Sequence, residues 1–225
     1  MKLLFYSTND DIRQSSRSQC LAIETVVKVV SLVFILFSIL TFSQVNIPNS
    51  YTKIPDSLHF SDNLYQSIIP NKNYDYWKVI NYDTSEEVII YESNKMKNCV
   101  GKLFPKKGFF NECAPSACFS YIIAYQNKKP EYFTDENELR NFIGYIDNLS
   151  EALLIAKTYD LGVDRKSPIG GSFKIEKDFI YLYLARFENC PVSREAFFVT
   201  IRRKTGKFEY ESQGIYYQTQ DCYSS

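Results

Sequence analysis

Seventeen residues from Val29 to Val45, VVSLVFILFSILTFSQV, carry no charge. An α-helix rises about 1.5 Å per residue, so about 20 apolar residues cross a bilayer core of about 30 Å. The run reaches that length when it is extended backwards to Ile23. The extension takes in Glu24 and Lys28, which sit four apart on one helix face and can pair, and the lysine stem can lie along apolar surface with its ammonium at the headgroups. Residues 20–45 are therefore expected to form a membrane anchor, with lipid as its first partner. A cleaved signal peptide is the main rival. It wants a short basic leader and a small-x-small exit, and here the leader is long and Leu40-Thr41-Phe42-Ser43-Gln44 is a poor exit. A lipoprotein would need its cysteine after the apolar core, whereas Cys20 precedes it. A buried helix of a soluble protein is the third reading. Lys2, Arg13, Arg17 and Lys28 precede the run and only Lys53 follows closely. Positive residues stay inside, so the N-terminus is expected in the cytoplasm and the C-terminal part outside a single-pass anchor in the cell membrane.

The rest of the organisation follows from that run. Residues 1–19 are polar, end in Ser and Arg, and read as a disordered tail. Residues 46–73 hold Pro48, Pro55 and Pro70 among Asn, Ser and Asp and read as a stalk. Leu58, Phe60, Leu64, Ile68 and Ile69 suggest that part of this stalk docks. Residues 74–225 leave about 150 positions for one extracytoplasmic domain, enough for a core. The formal net charge is zero, which gives no reason to expect nucleic acid.

Within that domain the periodicity changes twice. Trp77 to Tyr82, Glu87 to Tyr91 and Ala117 to Gln126 read as strands, and Glu131 to Phe133 as a return beside the last. Two helices follow. Asp135 with Glu138, then Asn148 with Glu151, have capping-box spacing. Leu139, Phe142, Ile143 and Ile146, then Leu149, Ala152, Leu153, Ala156 and Tyr159, recur at helical spacing. Gly162 is expected to supply the left-handed stop. Asp178 to Phe187, Glu195 to Arg203 and Lys207 to Thr219 read as an antiparallel meander closed by the Thr205-Gly206 turn. The expected fold class is α+β: an N-terminal transmembrane helix, then one antiparallel sheet with two packed helices.

Five of six cysteines would lie outside, where disulfides persist. The first and third meander strands end at one edge of the sheet, and their flanking loops carry Cys190 and Cys222, so these two are expected to bond. Cys113 and Cys118 flank a loop that can close on itself, and Cys99 with Cys113 is the competing pair.

The helix around Glu151-Ala152-Leu153-Leu154-Ile155-Ala156, the strands after it and Val199-Thr-Ile-Arg-Arg-Lys-Thr-Gly-Lys207 resemble the PepSY-type and cystatin-like helix-plus-meander modules of cell envelopes. The resemblance covers about a third of the chain. It implies an extracytoplasmic binding or inhibitory module with a helix on a curved sheet, and it carries over no catalytic residue.

The single histidine, His59, falls in the stalk, which leaves the domain no Ser-His or Cys-His constellation. The acids Asp160, Asp164, Glu188, Glu195 and Asp221 are scattered over loops and strand ends, and Ile169-Gly170-Gly171-Ser172 lacks the spacing of a phosphate loop. No metal or cofactor is expected. The binding candidates are a basic stretch with Lys95, Lys97, Lys102, Lys106 and Lys107 among aromatic residues, and the strand tyrosines Tyr181 and Tyr183. Such surfaces suit an acidic partner, lipid headgroups or an external protein. The function expected is a membrane-anchored binding or accessory module. A histidine-independent carboxylate enzyme of the envelope and a structural assembly subunit are the alternatives.

Overall fold

The computed structural model describes residues 46–83, 86–94, 105–111 and 118–222. The expected tail and anchor lie outside them, and among the described residues no helix is long and apolar enough to cross a membrane.

The fold is α+β, with two antiparallel sheets where the sequence suggested one. The first is built from β2 (Tyr76–Asp83), β3 (Glu86–Glu92), β4 (Cys118–Gln126) and β5 (Lys129–Phe133), in the order β3-β2-β4-β5. The second holds β1 (Thr52–Lys53), β6 (Gly171–Ile175), β7 (Phe179–Asn189), β8 (Val192–Arg202) and β9 (Lys207–Gln218), in the order β1-β6-β7-β8-β9. Within each sheet, consecutive strands mostly pair with their chain neighbours. The break falls where two helices, α2 (Glu136–Ile143) and α3 (Leu149–Lys157), interrupt the chain between β5 and β6.

Both sheets turn one face to a single apolar cluster. Trp77, Val79, Ile122 and Ala124 come from the four-stranded sheet, and Ile180, Leu182, Leu184, Phe197, Val199 and Ile201 from the five-stranded one. The helices supply Leu139, Phe142, Ile143, Leu153, Leu154 and Ile155 to it. Leu149 to Ala156 is buried at every position, as expected for a helix walled on all sides rather than lying on a surface. On its other face the four-stranded sheet carries a second buried cluster of Tyr76, Ile80, Phe119, Tyr121, Ile123 and Tyr125. This explains why β4 reads as a continuous apolar run and not as an alternation.

The helix starts follow the capping signals. The Asp135 side chain accepts from Glu138 N–H at 3.0 Å, although Glu138 reaches back to Thr134 and not to the cap residue. Asn148 and Glu151 close the full reciprocal box. The helix ends divide differently. Gly144, at φ +70°, ends α2, and a Cβ there would lie 2.5 Å from the Asn71 Cβ, so both the conformation and the space demand glycine. After α3 the left-handed residue is Asp160, at φ +58°, and not Gly162. Gly162 instead exchanges both backbone hydrogen bonds with Ala185 of β7, at 2.8 and 2.9 Å. An aspartate tolerates the left-handed region better than most residues, which frees the glycine to press the loop onto the sheet.

The stretch 46–73 belongs to the same compact unit as the rest of the described chain. Its β1 extends the five-stranded sheet, a 3₁₀ turn spans Asp56–His59, and a one-turn helix, α1, spans Ser61–Tyr65. Ile54, Leu64, Tyr65 and Ile68 are buried, whereas Phe60 and Ile69 remain exposed. The tie at its end is Glu151. Its carboxylate accepts Ile69 N–H on Oε1 at 2.7 Å, and Asp147 and Asn148 N–H on Oε2 at 2.5 and 3.3 Å. The Asn148 side chain donates to Ser67 O at 2.7 Å.

At the far end of the second sheet Cys190 and Cys222 are disulfide-bonded, as the meander geometry suggested. Cys118 is disulfide-bonded as well. Cys99 and Cys113 lie outside the described residues.

Candidate functional site

A cleft of about 970 Å³ opens where the 59–62 turn, the C-terminal end of α3 and the end of β7 meet. Its position follows from three local features. The Gly162–Ala185 bridge holds the loop after α3 against β7, so Asp160 to Val163 form one wall. Phe109 exchanges both backbone hydrogen bonds with Ser120 of β4, at 2.8 Å each, which places Phe110 at the floor. His59 ties its own turn to the loop, since Nδ1 lies 3.1 Å from Val163 O. A carbonyl oxygen only accepts, so Nδ1 is the donor in this contact.

The lining sets three carboxylates, Asp62, Glu136 and Asp160, against one ammonium, Lys157. Burial pushes the Glu136 carboxyl above its usual range. Arg140 opposes that rise, while the nearby Asp160 and Asp135 charges add to it. The Lys157 ammonium lies 4.7 Å from the centre of the Phe110 ring, a cation–π contact, and it donates to the Ser61 hydroxyl. In that bond the amine acts as donor, whereas a serine nucleophile needs its partner as a base. Phe60 and Phe187 form the rim, 56% and 45% exposed. The Arg165 and Arg194 guanidinium carbons lie 5.7 and 6.0 Å from their ring centres.

The described residues among the binding candidates named from sequence lie elsewhere. Lys95, Lys97 and Lys102 fall outside the described residues. Lys106 is exposed, and Lys107 pairs with Asp135 at the start of α2, at 3.3 Å. Tyr181 and Tyr183 sit on the face of the five-stranded sheet that points away from the core, where Phe179, Phe198 and Tyr51 join them. Tyr181 and Phe198 are nearly parallel, with centroids 6.2 Å apart, and Tyr51 meets Tyr183 edge-on at 5.1 Å. The tyrosines therefore meet each other, and among the described residues no contact joins them to the lysines. Burial, followed by the neighbouring tyrosines and Glu176, pushes the Tyr51 hydroxyl up to about 12.

The scattered acids also separate. Asp164 is buried under Arg194 and Tyr216, Glu195 accepts from Ser212, and Asp160 alone of that set lines the cleft. Among the described residues no three metal-ligating side chains converge. Sequence reasoning missed His59, Glu136 and Lys157 as a group. The available signal was the docking apolar spacing of residues 58–69, which puts His59 against the domain and not on a free stalk.

No family model matches this chain, and neither a curated protein nor a solved structure is similar to it.

Proposed function

We propose that the chain is a membrane-anchored binding module. Residues 20–45 hold it in the bilayer, and the folded part works outside the cell by taking a ligand into the His59–Glu136–Lys157 cleft. The carrying observation is the cleft's lining: an excess of carboxylates, the His59 imidazole and two exposed phenyl rings, brought together from parts of the chain remote in sequence. Concave sites with an apolar rim and a few convergent polar groups are where ligands bind. The balance suits a ligand with an amine beside an apolar group. Carboxylates attract the amine, and phenyl faces take either part. Of the two acids whose carboxyls sit above their usual range, Glu136 and Glu151, only Glu136 lines the cleft.

A photo-crosslinking amino acid at Phe187, compared with one at exposed Ile215, tests the reading in the full-length chain in its own membrane. Adducts of defined mass confined to the Phe187 position support it. Equal labelling at both positions, or none, removes the cleft from consideration. Covalent labelling of Ser61 by a fluorophosphonate would instead make the cleft a hydrolase site.

A further inference from the structure

The outer strands of the two sheets are protected unequally. β5 carries Lys129, Pro130 and Glu131, and proline and charge both discourage further pairing. β9 carries Lys207, Glu209 and Glu211 and is kinked by two register shifts. β1 is two residues long. β3 carries its glutamates at the ends and its one register shift at Ile90, which leaves Val88 and Ile89 uncharged and in regular register. It reads Glu-Glu-Val-Ile-Ile-Tyr-Glu, pairs only with β2 among the described residues, and leaves Val88 52% and Ile89 48% exposed. A register shift sets Ile90 as an extra residue between the Ile80–Ile89 and Val79–Tyr91 pairs. There a shallow, open depression runs past Ile89, Ile90, Tyr91 and Glu92.

We infer that β3 is a strand-addition site for an extended peptide with an apolar, β-branched centre and Lys or Arg at its ends. The backbone groups of Glu86–Ile89 that face away from β2, unpaired among the described residues, would bond to the incoming strand, and the depression would take the next side chains. Main-chain bonds supply affinity in this mode and alternate side chains supply selectivity. Charge selects the occupant. Glu86, Glu87 and Glu92 flank the apolar centre at both ends and all are exposed. Asp83 lies opposite Glu86, and Lys78, opposite Glu92, is the single cation in the local register. Glu87 and Glu92 also accept the Tyr121 and Tyr76 hydroxyls, which fixes their positions. A second copy of this chain fits poorly. Antiparallel self-pairing centred on Ile89 sets Glu86 against Glu92 twice, and like charges directly opposite are unfavourable. This surface is distinct from the cleft, so the two readings stand or fall separately.

The test uses the full-length chain in nonionic detergent and fluorescein-labelled Lys-Lys-Val-Thr-Val-Thr-Lys-Lys, read by anisotropy. Saturable binding is expected, at least tenfold weaker for Ile89→Lys and unchanged for Ile215→Lys on β9. Circular dichroism confirms that both variants fold. A peptide with N-methylated central amides is expected to lose at least tenfold, because it cannot complete the ladder. Equal affinity of wild type and Ile89→Lys overturns the inference, as does equal binding of a peptide with glutamate ends. A dimer that Ile89→Lys dissociates, without peptide binding, assigns the edge to a second copy and overturns it too.

Discussion

Glu151 and Asp164 are both buried, 0% and 4% exposed, and both tie remote pieces of chain together. They do so with opposite electrostatics. Glu151 faces backbone N–H groups at the start of α3 and the Ile69 N–H, with no cation among its partners. Burial outweighs those donors and pushes its carboxyl up to about 7. Asp164 is also pushed up by burial. The Tyr216 hydroxyl at 2.7 Å, the Lys166 N–H at 2.8 Å and Arg194 at 2.9 Å more than reverse that, and its carboxyl sits below the usual range. The lesson concerns partners and not burial alone. Neutral donors orient a buried acid but leave its charge expensive, whereas a cation beside the same group makes the charge the preferred state.

Arg194→Met breaks the comparison most strongly. It strips the cation from Asp164 and leaves a buried charge with one hydroxyl and one N–H. Removing one member of a buried pair costs about 3–5 kcal/mol, and the 24% exposure of the Arg194 side chain points to the lower end. Urea unfolding at pH 7 checks it. A cost under about 1 kcal/mol would mean that the pair is solvated like a surface bridge.

The acids also predict opposite pH slopes. The folded state holds the Glu151 proton up to about pH 7, while the unfolded chain releases it near 4.5. The folded state thus binds the extra proton between those values. That stability is fully present below pH 4.5 and is lost as pH rises through 7, on the order of 3 kcal/mol in all. Asp164 behaves the other way. Its contribution is present above the usual aspartate range and is lost as pH falls through its lowered value. Glu151→Gln is expected to flatten the urea midpoint between pH 4.5 and 7 and to leave the acid limb in place. A slope that persists in Glu151→Gln would assign it to other groups.

These ties show what could be read from residues and what could not. The Glu151 box was legible, because Asn148 and Glu151 stand at capping distance before an apolar run. So was the Cys190–Cys222 bond, since a meander of short turns brings the ends of alternate strands together. The α+β class was legible as well. The division into two sheets was not: both sets of strands are apolar and antiparallel, and only the buried helix between them decides which face each set presents. β6 was hidden because Gly171, Ser172 and Lys174 leave a five-residue strand with only two apolar positions, which reads as a loop. The cleft was hidden for a different reason. His59, Glu136 and Lys157 meet only because the 46–73 stretch packs on the domain, and proline-rich composition had suggested a stalk. The Asp164–Arg194–Tyr216 tie joins a loop to two strands, and no local spacing encodes that.

Tyr216→Phe is the smallest and sharpest test, because it alters one donor without moving the charge pair. The hydroxyl reaches Asp164 Oδ2, the oxygen that also faces Arg194, and burial followed by that bond raises the tyrosine's own titration. A Cβ on Gly170 would stand 2.6 Å from the same hydroxyl oxygen, so the ring is held by close packing and phenylalanine keeps its place. Loss of one hydrogen bond to a charged group costs about 1.5–3 kcal/mol. Arg194 and the Lys166 N–H remain, which brings the expected loss at pH 7 to about 1 kcal/mol. The direction at low pH is the decisive part. Without the hydroxyl the Asp164 carboxyl moves back toward its ordinary range, so the acid limb of the stability curve shifts to higher pH while the limb between pH 4.5 and 7 stays where Glu151 sets it. Movement of both limbs would show that the two acids are coupled through the packed helix and loop, and the contrast drawn between them would then describe one network.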